Sequence, residues 1–286
     1  MTGANISKFI RSSRNNGFIV VSSEKEDCSL LKLDSTGNLV KGKQIAFEGS
    51  SNGAYDMLKT RDQNFVVADF VFTGVIDSSK IVLFKINDNL DTLWTRQYKL
   101  PFKYSTIYKL TEGEDGSIYL YFQFSYTSFG GYPDYWAIAK LDNSGSLLWC
   151  RTYKPTVSQV IFRGRMVEWG DHLYFSCENS MDNFSSFISK VEKSTGNLVW
   201  TKAFRVTGRE TNLGSGLAVL GNTLVLAGDQ RINGGQSRAV LMSLDADVTR
   251  YVLFRKVVFQ ESISPMHLPL TEMAAMMYCK RSYGAL

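Results

Sequence analysis

The decapeptide KLDNSGSLLW, from Lys140 to Trp149, decides the fold because variants of it recur along most of the chain. It returns as KINDNLDTLW at Lys85–Trp94 and, with one residue inserted, as KVEKSTGNLVW at Lys190–Trp200. Weaker copies are KLDSTGNLVK at Lys32–Lys41 and SLDADVTRYV at Ser243–Val252. Successive copies, measured at their second residue, are 53, 55, 50 and 53 residues apart. This near-constant period indicates a repeat protein of five units.

A second periodic element precedes each copy and consists of a tight turn followed by an apolar run. Asp115-Gly116-Ser117 leads into IYLYFQF, and Asn15-Asn16-Gly17 leads into a run that contains IVVSS. Asp-Gly and Asn-Gly between apolar runs are strong hairpin signals. Each unit therefore predicts four strands. In the third unit we expect them at about 104–111, 117–125, 135–142 and 146–154.

Four short antiparallel strands per repeat, with no helical period between them, are typical of a propeller blade. The sequence therefore predicts an all-β, WD40-like β-propeller of about five four-stranded blades over residues 1–259. Either a closed ring or a fragment of a larger propeller fits this pattern. A pair of β-sandwiches is the second candidate, but equal repeats argue against it. Trp94, Trp149 and Trp200 share one repeat position, so we expect them to pack between blades.

Residues 260–286 contain no copy of the repeat and form a separate segment in this interpretation. Leu270, Met273, Met276 and Met277 fall at helical spacing, so the expected structure is an irregular or short helical tail. Two alternatives are open for this tail. It either docks on the last blade or is not the natural continuation of the array.

Composition sets broad limits on function. Hydrophobic residues make up 44% of the chain and aromatic residues 13%, which is an ordinary globular balance rich in strand formers. The net charge of +5 is spread without runs of like charge, which indicates a solvated surface and no nucleic-acid partner. No apolar stretch is long enough for a membrane span. The sequence does not indicate a compartment.

Residues suited to catalysis are few. With only His172 and His267, the sequence offers little for histidine-based chemistry, and we read His172 as a surface residue at a turn. Asp34, Asp142 and Asp245 recur at one turn position, where a carboxylate accepts hydrogen bonds from the amides of its own turn. We therefore predict no catalytic residue, no metal site and no cofactor, and an enzyme is the less favoured reading.

The loop between the second and third strands of the third unit is the candidate binding site. It combines aromatic and polar side chains that suit a sugar, peptide or protein partner: Tyr126, Phe129, Tyr132, Asp134 and Tyr135. The alternative is that these rings cover the edge of their own blade.

The stretch from Asp115 to Trp149 resembles a β-propeller repeat family of secreted prokaryotic and protist surface proteins, through its Asp-Gly turn and its Lys-Leu-Asp hairpin. That resemblance implies a non-enzymatic binding or scaffolding propeller for a protein or carbohydrate partner. STGNLVWTKAF, from Ser194 to Phe204, is distantly similar to quinoprotein-like repeats. This second resemblance implies the alternative function, a quinoprotein-like or hydrolase-type propeller enzyme with a site in the axial channel.

Overall fold

The computed structural model describes twelve stretches of the chain: residues 6–24, 27–47, 50–51, 54–72, 80–99, 104–125, 135–153, 164–179, 185–204, 211–232, 236–247 and 251–255. The predicted tail, 260–286, and residues 126–134 of the predicted binding loop lie outside these stretches. Within them the chain forms antiparallel strands and a single 3₁₀ turn at Arg14–Asn16.

The strands form five sheets that follow one another in the sequence. Blade 1 contains β1 Ile6–Ser12, β2 Phe18–Glu24, β3 Asp27–Leu33 and β4 Leu39–Ile45. Blade 2 contains β5 Ser50–Ser51, β6 Asp56–Lys59, β7 Phe65–Phe72, β8 Lys80–Ile86 and β9 Thr92–Lys99. Blade 3 contains β10 Tyr104–Glu112, β11 Ile118–Ser125, β12 Tyr135–Leu141 and β13 Leu147–Tyr153.

Two further sheets complete the described chain. Blade 4 contains β14 Arg165–Trp169, β15 His172–Asn179, β16 Ser185–Glu192 and β17 Leu198–Phe204. Blade 5 contains β18 Thr211–Leu220, β19 Thr223–Ile232, β20 Gln236–Leu244 and β21 Tyr251–Arg255. In blade 2, β5 and β6 pair with the same edge of β7, so together they form one interrupted first strand. The five-bladed, four-stranded architecture predicted from the repeat is confirmed.

Burial changes in a regular way across each blade. In blades 2 and 3 the third strands are largely apolar and buried on both faces, as the patterns of β8 and β12 show, because a neighbouring blade covers each side. The fourth strands, such as β9, are largely exposed and form the outer rim. The first strands of successive blades contact one another from β1 through β6, β10 and β14 to β18, so they lie nearest the axis.

Among the residues that the structure describes, the core is divided into four apolar clusters, each of which lies between two consecutive blades. Cys28 and Phe84 belong to the cluster that joins blades 1 and 2. Phe70 and Leu120 belong to the next, between blades 2 and 3. The remaining two clusters join blade 3 to blade 4 and blade 4 to blade 5. Stability is therefore built up from contacts between neighbouring blades.

Candidate functional site

Of the five residues predicted to bind a ligand, Tyr135 lies within the described structure. It is the first residue of β12, directly opposite Phe124 on β11. The two rings are stacked, with centroids 5.3 Å apart and planes 10° from parallel. Tyr135 also packs against the cluster between blades 2 and 3. The base of the predicted loop is therefore a fixed aromatic pair. The binding role of the loop itself stays a prediction.

A carboxylate that sequence reasoning missed joins the first strands of three blades. Asp56 of β6 is 4% exposed. Its Oδ2 accepts the Leu110 amide of β10 at 2.7 Å and lies 3.2 Å from Lys109 Nζ. Its Oδ1 accepts the Met57 amide at 2.9 Å and lies 3.6 Å from Arg11 on β1. Each carboxylate oxygen thus accepts a hydrogen bond from one backbone amide and forms an ion pair with one cation, and the group stabilises the packing of blades 1, 2 and 3 near the axis.

Two glutamates join blades in a similar way at the turn between first and second strands. Glu112 of blade 3 accepts the backbone amide of Arg61 in blade 2 at 2.7 Å. Glu168 of blade 4 accepts the amide of Glu114 in blade 3 at 2.8 Å and also pairs with Lys193. An acidic side chain on one first strand therefore holds the preceding blade's turn by a charge-assisted hydrogen bond.

The turns between third and fourth strands are here called outer turns. Those of blades 1 and 3 are closed by their own first side chain, as predicted for Asp34 and Asp142, and the same role for Asp245 stays a prediction. Asp34 Oδ1 accepts the amides of Thr36 and Asn38, both at 2.9 Å. Asp142 does the same with Ser144 and Ser146, at 2.9 and 2.8 Å. The hydrogen bonds from the Thr36 side chain and the Asn38 amide lower the pKa of Asp34 to about 2.

Each outer turn from blade 2 onward receives side chains of the preceding blade, a contact we call the turn lock. Between blades 2 and 3, Lys85 donates to Asn143 Oδ1 at 2.5 Å, and Trp94 donates to the Asn143 carbonyl at 3.2 Å. Tyr98 donates to the carbonyl of Gly145. Burial raises the pKa of Tyr98 to about 12, so its hydroxyl stays a donor at neutral pH.

The other locks vary this pattern. Tyr153 of blade 3 donates to the Gly196 carbonyl at 2.6 Å, and the Trp149 ring covers Gly196. In blade 1 a lysine, Lys41, takes the tryptophan position and donates to Asn89 at 2.7 Å. Lys190 of blade 4 reaches Asp247 of blade 5 at 3.0 Å. The predicted packing of tryptophans between blades is confirmed: Trp94 and Trp149 contact the outer turn of the next blade, and Trp200 packs against the cluster between blades 4 and 5.

The lysine that opens four of the five copies was missed by the sequence interpretation, which assigned lysines to a solvated surface. Lys85 is 3% exposed and lies 2.7 Å from Asp62 of its own blade, and Lys190 is 8% exposed. Lys32 similarly pairs with Asp88 of the following blade at 2.6 Å. Their recurrence at one repeat position was the signal that separated them from surface lysines.

His172 is half-buried rather than fully exposed. Its ring contacts Tyr174 edge-on at 6.5 Å, and burial lowers its pKa. Across the part of the chain that the structure covers, no group of three histidine, cysteine, aspartate or glutamate residues is placed to hold a metal ion. Within the same stretches there is also no helix long and apolar enough to cross a membrane.

No protein-family model and no curated protein matches the sequence. Solved structures match in shape. A protein of unknown function from Dyadobacter fermentans has 10% identity and a TM-score of 0.55, covering 90% of this chain and 84% of that one. An ACO/RPE65 chimera has 12% identity and a TM-score of 0.51, covering 87% of this chain and 62% of that one. An exo-β-1,3-galactanase from Phanerochaete chrysosporium has 9% identity and a TM-score of 0.46, covering 90% of this chain and 64% of that one.

These likenesses place the chain among propeller-type folds and say nothing of its activity. Identities of 12% or lower show a shared fold alone, because one fold hosts many functions. The resemblance to the galactanase is weaker still and carries no argument about substrate.

Proposed function

We propose that this chain is a non-enzymatic binding propeller, built from the surface-protein repeat that its third unit resembles, with a protein or carbohydrate ligand at the loop 126–134. The observation that supports it most is the use of the acidic side chains on the first strands. Asp56, Glu112 and Glu168 each accept a hydrogen bond from a backbone amide of a neighbouring blade. Carboxylates held in this way serve the joints between blades, whereas a channel enzyme needs acids directed at a substrate.

The aromatic base of the loop supports the position of the binding surface. Tyr135 is held against Phe124 by near-parallel stacking, so an aromatic platform lies at the point where the loop returns to the sheet. Preorganised aromatic rings bind sugars and peptide side chains with little loss of conformational entropy. Phe129, Tyr132 and Asp134 would add contacts from the loop.

A glycan array and a panel of purified extracellular-matrix proteins test this proposal with the intact chain. We expect a saturable ligand whose binding falls at least tenfold in a Phe129→Ala/Tyr132→Ala variant. Leu148→Ala, which is 54% exposed on the outer strand of the same blade, is the matched control and should bind normally. Unchanged affinity in the double variant would refute the loop as the site. Steady turnover of chromogenic glycosides, or dye reduction in the presence of pyrroloquinoline quinone, would refute the non-enzymatic reading.

A further inference from the structure

The first strands carry more cations than the hydrogen bonds of Asp56 require. Both oxygens of this buried carboxylate already accept a backbone amide, from Leu110 and from Met57. Arg11 of β1 and Lys109 of β10 nevertheless lie against it, at 3.6 and 3.2 Å. Two cations from two blades therefore share one carboxylate, and the three side chains together carry a net positive charge.

Both cations keep N–H groups that have no acceptor in the described part of the chain. Arg11 Nη1 donates to the Ile10 carbonyl at 2.9 Å, but Nη2 lies 3.6 Å from Asp56, which is longer than a hydrogen bond. Lys109 has three N–H groups and lies 3.2 Å from a single carboxylate oxygen. Over the described stretches, no second acid pairs with either cation. Their side chains are 34% and 27% exposed, so a dissolved anion can reach both.

A third cation occupies the repeat position of Lys109 in the next blade. Asp56, Lys109 and Arg165 each come directly before the buried apolar residue of a first strand: Met57, Leu110 and Met166. The first strands of blades 3 and 4 contact one another, so Arg165 extends the positive group toward blade 4. Blade 5 has Gly216 before Leu217 and adds no charge at this position.

The glutamates of the same strands do not neutralise these cations. Glu112 accepts the amide of Arg61, and Glu168 accepts the amide of Glu114 and pairs with Lys193. Each glutamate follows the cation of its own strand by three residues, which is about 10 Å along an extended chain. The glutamates therefore serve the joints between blades and leave the charge of the cations near Asp56 uncompensated.

Stability does not account for this arrangement. Ion pairs between partly exposed groups contribute little, and cations brought close together repel one another. The two amides already satisfy both oxygens of Asp56 without help from Arg11 or Lys109. A positive group that is partly exposed and has spare donors is instead suited to bind an oxyanion through charge-assisted hydrogen bonds.

We propose that Arg11 and Lys109, with Arg165 on the neighbouring first strand, form a binding site near the axis for an oxyanion, the carboxylate or phosphate group of a small ligand. A guanidinium offers two parallel N–H groups to such an anion, and an ammonium adds a further charged donor. Asp56 fixes the position of Arg11 and Lys109 and leaves most of their donors available. The proposal does not depend on the function proposed for the loop 126–134.

The probes are inorganic phosphate and glucuronate, with glucose as the uncharged control. Each is titrated into the intact chain at constant ionic strength and followed by calorimetry. We expect saturable binding of at least one anion, weakened at least tenfold by Arg11→Met/Lys109→Met and at least threefold by either single change. Both side chains are partly exposed, so these variants should fold normally, which their thermal unfolding will check. The matched control, Lys99→Met/Arg151→Met, removes the same two charges from exposed positions on β9 and β13 and should bind normally.

The probe that binds more tightly identifies the source of the oxyanion: phosphate indicates a phosphorylated ligand, and glucuronate indicates an acidic sugar. Four results would overturn the proposal. The first is the absence of saturable binding of either anion up to about 10 mM, which is weaker than a specific contact. The second is equal weakening in the matched control, which would show an effect of net charge alone. The third is equal binding of glucose, which would show that the anionic group is not recognised. The fourth is binding that Phe129→Ala/Tyr132→Ala abolishes and Arg11→Met/Lys109→Met leaves unchanged, which would assign the anion to the loop 126–134.

Discussion

Replacement of Asp56 by alanine removes the carboxylate that connects the first strands of blades 1, 2 and 3. Two backbone amides, those of Leu110 and Met57, then lose the acceptor at 2.7 and 2.9 Å. Both residues are 0% exposed, so water does not reach these amides readily. An unpaired buried donor costs about 1–3 kcal/mol, which gives a total of about 4 kcal/mol. This is a large part of the 5–15 kcal/mol by which folded domains are typically stable.

The two cations around Asp56 contribute much less. The side chains of Arg11 and Lys109 are 34% and 27% exposed, so they regain hydration when the carboxylate is absent. Ion pairs of this kind are worth less than about 1 kcal/mol. Arg11→Met and Lys109→Met should therefore each reduce the free energy of unfolding by less than about 1 kcal/mol. The cost of Asp56→Ala comes from the amides and not from the charges.

Urea unfolding followed by circular dichroism and tryptophan fluorescence measures these differences. Coincident transitions by the two probes, with an unchanged m-value, are needed before the midpoints are converted into free energies. If Asp56→Ala costs less than about 1 kcal/mol, then water replaces the carboxylate, and the amide hydrogen bonds to Asp56 are not what stabilises the packing of the first strands. If Arg11→Met costs as much as Asp56→Ala, the ion pair and not amide capture is the stabilising contact.

Two matched pairs of variants test the turn lock. Gly37 and Gly145 have positive φ angles of 88° and 80°, so alanine at either position costs about 1 kcal/mol from backbone strain. Gly145→Ala should cost about 1–2 kcal/mol more, because its β-carbon meets Trp94 at 3.1 Å. Equal urea midpoints for the two variants would contradict the turn lock. Asp62→Asn should destabilise more than Lys85→Met, because it removes the counter-charge of a lysine whose side chain is 4% exposed and leaves it the hydrogen bond to Asn143, whereas Asp62, 41% exposed, stays hydrated without its partner. The reverse order would show that Lys85 is not held as an ion pair. Burial alone would raise the pKa of Asp62, but hydrogen bonds from Lys85 and from its own turn lower it to about 2. The stabilisation from this pair should therefore be complete above about pH 4 and lost as the pH falls toward 2. In a series of unfolding midpoints measured against pH, Asp62→Asn should remove that part of the acid dependence.

Much of the fold could be predicted because each repeat is marked by local sequence signals, namely its turn residues and its apolar runs. In the third unit the four expected strands agree with β10 to β13 within one residue at each end. Asp34 and Asp142, at the start of the outer turns of blades 1 and 3, behave as expected, since an Asx-type turn depends on residues two and four positions away. The packing of the tryptophans could also be predicted, because a large ring that recurs on an outer strand is buried only when the next blade covers it.

The joints near the axis could not be predicted in the same way. Asp56 and Lys109 share one repeat position, directly before Met57 and Leu110, but they carry opposite charges there, and Arg11 lies two positions further along its own repeat. No repeated residue type therefore connects the three before the blades are placed side by side. The role of the lysine in the turn lock was missed for a different reason. Lys85 recurs at one repeat position, but the recurrence does not show what it pairs with, since its partners, Asp62 and Asn143, lie in two different blades.

The turn lock has a direction, and this bears on how the protein is made. The donors lie in the third and fourth strands of one blade, and the acceptor lies in the outer turn of the next, as with Trp94 and Asn143. During synthesis, therefore, the donor hairpin is complete before the turn that it will hold has left the ribosome. Each folded blade then provides the surface against which the following blade packs. A chain built this way can fold by sequential addition from its amino-terminal side, with no stage at which several unpaired blades must find their order.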